Sequence, residues 1–185
     1  MINKDCIKTS TGITFNLFEP KPEMVNFNDI VNGLSKLCRF SGQISEFYSV
    51  AQHSVLVSEM IGLTHPELAL DALFHDAAEA YCGDLITPIK KDCPEYRNIE
   101  NKVIRVIADK FGLKNMYSPL IKLADARMMA TEKLYLCNCP EDEEWESIKD
   151  IKPFFIKIED FWDHRKAKEM FVKRYNTLCD QRMVA

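Results

Sequence analysis

Two histidines and three acids lie inside stretches that otherwise read as apolar helix. The segment FHDAAEAYCGD, residues 74–84, sets His75 beside Asp76, follows with Glu79 and, past Gly83, with Asp84. His53 interrupts YSVAQHSVLVSEMIG, and Asp125 interrupts IKLADARMMATE. Burying an isolated charge is costly, and a bound cation is one of the few things that makes it tolerable. Neutral imidazole with anionic oxygen is a usual ligand mix for a divalent ion. His53, His75, Asp76 and Asp125 together would leave open positions for water, the mark of a catalytic rather than a structural site. Adjacent residues on a helix point about 100° apart, so His75 and Asp76 can converge only on something at the flank of their helix. Taken singly, His53 reads as an ordinary core histidine, and Asp125 equally as an ion-pair partner of Arg127 or Lys122. The set carries the metal reading. His65, ahead of Pro66, and His164, in the charged run DHRKAK, read as solvated.

The elements that must position these residues are helical in period. IKTSTGITFNLFEP alternates β-branched and polar residues around Thr11-Gly12 and predicts a small hairpin over residues 7–18, ended by Pro20 and Pro22. FNDIVNGLSKLCRF repeats apolar residues at Ile30, Leu34 and Leu37 and predicts a first helix with Asn28 as cap. YSVAQHSVLVSEMIG predicts a second, closed by Gly62. HPELALDALFHDAAEAYCG predicts a third, opened by Pro66 and closed by Gly83. PEYRNIENKVIRVIADKFG, SPLIKLADARMMATEKLYLC and IEDFWDHRKAKEMFVKRYNTLC predict three more, with PEDEEWESIKD as an acidic solvated loop before the last. Short connections and the lack of any strand–glycine-loop–helix signature point to a single compact all-α bundle, its helical core over residues 26–180, rather than a sheet-based nucleotide fold.

Composition narrows the function classes. A chain of 185 residues with 46% hydrophobic residues can build a full core without disulfides or structural zinc. A formal net charge of -4 argues against a long nucleic acid lying across the surface, but leaves room for a small phosphorylated ligand held by a few local cations. Seven cysteines, an odd number with no C-x-x-C pair, read as reduced thiols of a cytoplasmic protein. The start, MINKDCIKTS, has neither the basic nor the apolar region of a signal peptide, and no apolar run nears the ~20 residues that span a bilayer.

The ordered pattern His53…His75-Asp76…Asp125 resembles the HD-domain phosphohydrolase superfamily. The flanks LCRF, FYSVAQHS, HDAAEAYCGDLITPIK and KLADARMMATE are similar to those of YfbR-like 5′-deoxynucleotidases and phage dATP triphosphohydrolases, over residues 26–135. The resemblance implies an HD-type helical bundle. It also implies a divalent ion (Co, Mn, Zn, Mg or Fe) on His53, His75, Asp76 and Asp125, and a small nucleotide as substrate, in a chain that could form dimers or larger oligomers. It gives Glu79 a catalytic role on water and Asp84, in the GDLITP loop, a role at the leaving oxygen. Arg39 would contact phosphate, while Phe40 stands where the deoxynucleotidases carry Trp and could stack on a base or exclude a 2′-hydroxyl. Lys90 and Lys122 could each reach a phosphate. The expected activity is phosphate release from deoxynucleoside monophosphates, from dNTPs such as dATP, or both. Two alternatives are hydrolysis of cyclic or oligomeric nucleotide diesters and a non-catalytic nucleotide-binding module.

Overall fold

The computed structural model describes residues 4–140 and 143–184. Strands β1 (Cys6–Lys8) and β2 (Thr14–Asn16) pair antiparallel with Ile7 opposite Phe15, so the hairpin expected over residues 7–18 forms and starts one residue earlier. The loop between them is clamped by the buried Asp29, which accepts from Ser10 Oγ at 2.6 Å, Thr11 N at 2.8 Å and Thr11 Oγ1 at 2.6 Å. Phe15 stacks on Tyr81 with centroids 4.0 Å apart, so the hairpin closes over the segment that carries the acidic residues.

Eight α-helices follow among the described residues: α1 (Phe27–Lys36), α2 (Val50–Gly62), α3 (Ala69–Leu73), α4 (Glu79–Cys82), α5 (Thr87–Lys90), α6 (Pro94–Phe111), α7 (Pro119–Leu136) and α8 (His164–Val184). The protein is mostly helical with one small N-terminal hairpin, as its periodicity predicts. Helix α2 packs against α1, α3, α7 and α8. It buries residues on all its faces, from Val50 and Ala51 to Val57 and Ile61, as a helix surrounded by others must. Its apolar side chains join two clusters: one built on Phe15, Ile30, Leu73, Phe74 and Phe171, the other on Tyr48, Ala72, Ile121, Met128 and Leu136. No helix among the described residues is long and apolar enough to cross a membrane, and the seven thiols are free.

Several local expectations are corrected. The cap of α1 is Asn26, whose side chain accepts from Asn28 N at 2.8 Å, because the helix starts two residues earlier than a cap at Asn28 would require. Gly62 is the last residue of α2 rather than its cap, and a Cβ there would sit 2.9 Å from Arg174 Nη2, the tip of a side chain reaching over from α8. The third helix is not continuous. It is a 3-10 turn (Pro66–Leu68), then α3, then a tightened stretch, then α4. Through that stretch the amides of Phe74, Ala77 and Glu79 bond three residues back, to Asp71, Phe74 and Asp76. Helix α5 lies in what reads from sequence as a loop. The last helix begins at His164 and not at Ile158, because Asp163 caps it, accepting from Arg165 N at 2.9 Å and Lys166 N at 2.8 Å. Part of the acidic stretch, residues 141 and 142, lies outside the described residues.

Candidate metal centre

The tightened stretch between α3 and α4 solves the geometric problem posed by neighbouring His75 and Asp76. A regular helix would splay them, whereas here His75 Nε2 and Asp76 Oδ2 lie 3.2 Å apart and face one point. His53, wholly buried on the central helix α2, brings its Nε2 to 3.3 Å from His75 Nε2 and 3.7 Å from Asp76 Oδ2. Asp125, projecting from α7, places Oδ1 3.1 Å from His53 Nε2 and 3.8 Å from His75 Nε2. One donor atom each from His53, His75 and Asp125 lies within 4.8 Å of the others, a spacing that could hold a metal ion. Asp76 flanks that trio on the histidine side.

Both imidazoles have their other nitrogen occupied. His53 Nδ1 meets Glu132 Oε1 at 2.5 Å, and His75 Nδ1 meets the Ala72 carbonyl at 2.7 Å. A carboxylate and a carbonyl only accept, so each Nδ1 carries a proton and donates it. In the neutral imidazoles both Nε2 atoms are then lone pairs aimed at each other and at two carboxylates. Such a ring of acceptors is stable only around positive charge, and the residues therefore fit a divalent cation. The titration directions express the same demand. Burial pushes His75 down, but Asp76 and Asp125 outweigh it and hold the imidazole well above its ordinary value. Burial and Arg39 push His53 down, yet Glu132 and Asp125 leave it raised. Burial pushes Asp76 up, but His75 brings it down to about 2, while His53 and His75 draw Asp125 well below the usual carboxylate range against the same burial.

Arg39 stands beside this cluster. It lies beyond the end of α1, in a 3-10 turn (Arg39–Gly42), rather than in the helix. Its position is fixed by Arg39 N donating to Tyr48 O at 2.9 Å. The guanidinium is buried, with Nη2 3.1 Å from Glu132 Oε2 and Nη1 3.6 Å from Asp76 Oδ2, and its Nε has no hydrogen-bond partner. Although burial disfavours its charge, Glu132 and Asp76 keep it firmly cationic. Phe40 packs 5.4 Å from the guanidinium and 6.0 Å from the Trp145 ring. Phe40 and Ser41 both adopt left-handed backbone, φ 55 and φ 52, a conformation that costs roughly 1–2 kcal/mol per non-glycine residue.

Glu79, at the start of α4, is buried and its Oε2 lacks a hydrogen-bond partner. Burial first, then the nearby Asp76 and Asp84 charges, hold it well above the usual carboxylate range; Lys90 Nζ, 3.8 Å from its Oε1, pulls the other way. Asp84, half-buried after Gly83, is raised by burial against the opposing pull of Arg39. Lys90 on α5 also pairs with Glu100 at 2.6 Å. A cleft of about 180 Å³ opens beside the cluster, lined by His75, Asp76, Asp125, Lys90, Lys122 and Tyr117 among others. Lys122 is exposed on α7 and makes no ion pair with Asp125 among the described residues, and Arg127 turns away to the Lys152 carbonyl at 3.0 Å. Arg39, Phe40, Glu79 and Asp84 do not line this cleft; Arg39 meets Asp76 and Glu132, Glu79 meets Lys90, and Phe40 packs on Arg39. His65 pairs with Glu67 at the surface and His164 opens α8, both away from the cluster.

Sequence reasoning passed over Glu132. It ends the motif KLADARMMATE, seven residues after Asp125 on the same helix, and is wholly buried. Two turns of helix return to the same face, so its alignment with Asp125 was a readable signal.

The mostly helical scaffold, with His53, His75 and Asp125 close enough together to hold a metal ion, places the protein in the HD-domain class. Within that class the chain belongs to the YfbR-like 5′-deoxynucleotidase family, whose model matches residues 39–137. It is 39% identical over 181 residues to the uncharacterized protein YfdR of Escherichia coli K12, covering 97% of this chain and 98% of that one. It is 34% identical over 121 residues, 62% of each chain, to an uncharacterized protein of Rhodobacter capsulatus. Family membership points to a nucleotide phosphohydrolase.

Proposed function

We propose that the protein is a metal-dependent phosphohydrolase of small deoxynucleotides, releasing phosphate from deoxynucleoside monophosphates, from dNTPs, or both. The observation that carries this reading is the ring of inward-facing acceptors on His53, His75, Asp76 and Asp125, beside a cleft lined by Lys90 and Lys122. Those four residues would hold the ion, which when bound polarises a phosphoryl oxygen and acidifies water. Glu79 has an unpartnered oxygen and a raised proton affinity, the properties of a group that takes a proton from an attacking water. Asp84, also raised, is suited to hand a proton to the departing oxygen. Phosphoryl transfer needs cations around the equatorial oxygens, which Lys90 and Lys122 offer from the cleft wall, while Arg39, buried between Asp76 and Glu132, adds positive charge behind Asp76. Phe40, beside Arg39, offers a flat apolar face to the sugar or base. Family membership, which rests on residues 39–137, supports the nucleotide substrate.

The test is phosphate release from a panel of deoxynucleoside mono-, di- and triphosphates and their ribo counterparts, with Mn²⁺, Co²⁺, Mg²⁺ or Zn²⁺ added in turn. Release from deoxynucleotides that chelation abolishes supports the reading and shows which phosphate is taken. Release from cyclic or oligomeric diesters alone, or none with any metal, overturns it.

A further inference from the structure

Glu132 is a wholly buried carboxylate to which the chemistry above gives no task. Its two oxygens hold two different parts of the site: Oε1 accepts from His53 Nδ1 at 2.5 Å, and Oε2 lies 3.1 Å from Arg39 Nη2. The two inward-facing histidines are not held alike. His75 donates to the backbone carbonyl of Ala72, whereas His53 depends on a side chain from α7, seventy-nine residues away in sequence. The buried Tyr48 hydroxyl also interacts with Glu132, short of a well-formed hydrogen bond. If Glu132 served only as the counter-charge of Arg39, the pair would be a buried ion pair, which apolar residues often replace at little cost. Its shorter contact is to the imidazole.

We propose that Glu132 is a positioning residue that fixes His53 with Nε2 free for the cation and, through its second oxygen, holds the Arg39 guanidinium against Asp76. A carboxylate partner makes His53 a more basic ligand than a carbonyl makes His75, so the cation is gripped unequally from the α2 side. The same carboxylate joins the metal-facing imidazole and the buried cation beside it into one rigid unit.

The inference rests on the metal-site reading, and its test uses Zn²⁺ and the full chain without nucleotide, so the choice of substrate does not enter. Calorimetric titration should show Zn²⁺ affinity reduced about 10- to 100-fold in Glu132→Leu, with a smaller loss in Glu132→Gln, whose amide oxygen can still accept from Nδ1. In the zinc-loaded wild type the short His53–Glu132 bond should give a far-downfield imidazole proton in the NMR spectrum, absent in Glu132→Leu and moved upfield in Glu132→Gln. A purely structural residue would lower the melting temperature and leave affinity and that resonance alone; this result overturns the proposal. Should Glu132→Leu not fold, Glu132→Gln decides, with wild-type affinity and an unmoved resonance counting against the proposal. A wild-type chain that binds no Zn²⁺ sinks the metal reading and this inference together, whereas unaffected variants of a zinc-binding wild type sink this inference alone.

Discussion

Replacing Lys90 with methionine removes a cation that lies 3.8 Å from Glu79 Oε1 while keeping most of the side chain's volume. At that separation two unit charges attract by about 1 kcal/mol in water and about 4 kcal/mol at the dielectric typical near a protein surface. Lys90 is partly exposed and is bonded more closely to Glu100, at 2.6 Å, so much of its field at Glu79 is screened or shared and the lower figure applies. About 1 kcal/mol corresponds to roughly 0.7 of a pH unit. The sign follows from the surroundings. Burial, Asp76 and Asp84 already raise the Glu79 carboxyl, and Lys90 opposes them, so losing Lys90 raises it further. A base must be deprotonated to work, so activity is lost as pH falls through the Glu79 pKa. The acidic limb of kcat/KM against pH should therefore move upward by roughly 0.7 unit in Lys90→Met. The limb should vanish from the residual activity of Glu79→Gln, whose kcat should fall by roughly 10²-fold or more with metal content unchanged. A limb that stays in place or moves to lower pH in Lys90→Met would refute the assignment of Glu79 as the titrating base.

Asp76→Ala should lose bound divalent ion and activity together, because Asp76 Oδ2 faces both imidazoles; elemental analysis beside a phosphate assay checks this, and full metal occupancy with near-normal turnover would contradict it. Phe40→Ala should blur discrimination between a deoxynucleotide and its ribonucleotide twin by about 1–3 kcal/mol in relative kcat/KM; an unchanged ratio with a lowered melting temperature would make Phe40 a packing residue for Trp145 and no more. Gly33→Ala should destabilise by about 1–3 kcal/mol in denaturant melts, since its Cβ would meet Ala80 Cβ at 2.8 Å and Ala80 Cα at 2.9 Å where α1 crosses α4. A neutral result there would mean the two helices can part without cost.

The chemistry of the candidate site was legible in the chain because charge inside an apolar period is anomalous wherever it falls. His53 and Asp125 are ambiguous singly, but with His75 and Asp76 they form a set that stands out on that ground, and the structure brings the four together. The helices were legible for the related reason that a 3.6-residue apolar period marks the face each must bury, and α6 and α7 run almost as their periodicity predicts. Convergence was not legible. Whether His75 and Asp76 face one point depends on bonds that reach three residues back rather than four through Phe74–Glu79, which the helical period of the sequence does not signal. Arg39 reads from sequence as a helix-end cation free to meet phosphate. Only the left-handed turn at Phe40 and Ser41 and the pairing of Arg39 N with Tyr48 O bury its guanidinium between Asp76 and Glu132. Glu132 shows the limit most clearly. Along the chain it is legible only as an acid on the face of Asp125, and its meaning comes from a histidine seventy-nine residues away that local propensity cannot reach. Periodicity reports which side chains a helix must bury, but which nitrogen of a buried imidazole is left free depends on the atom that tertiary packing sets against the other one.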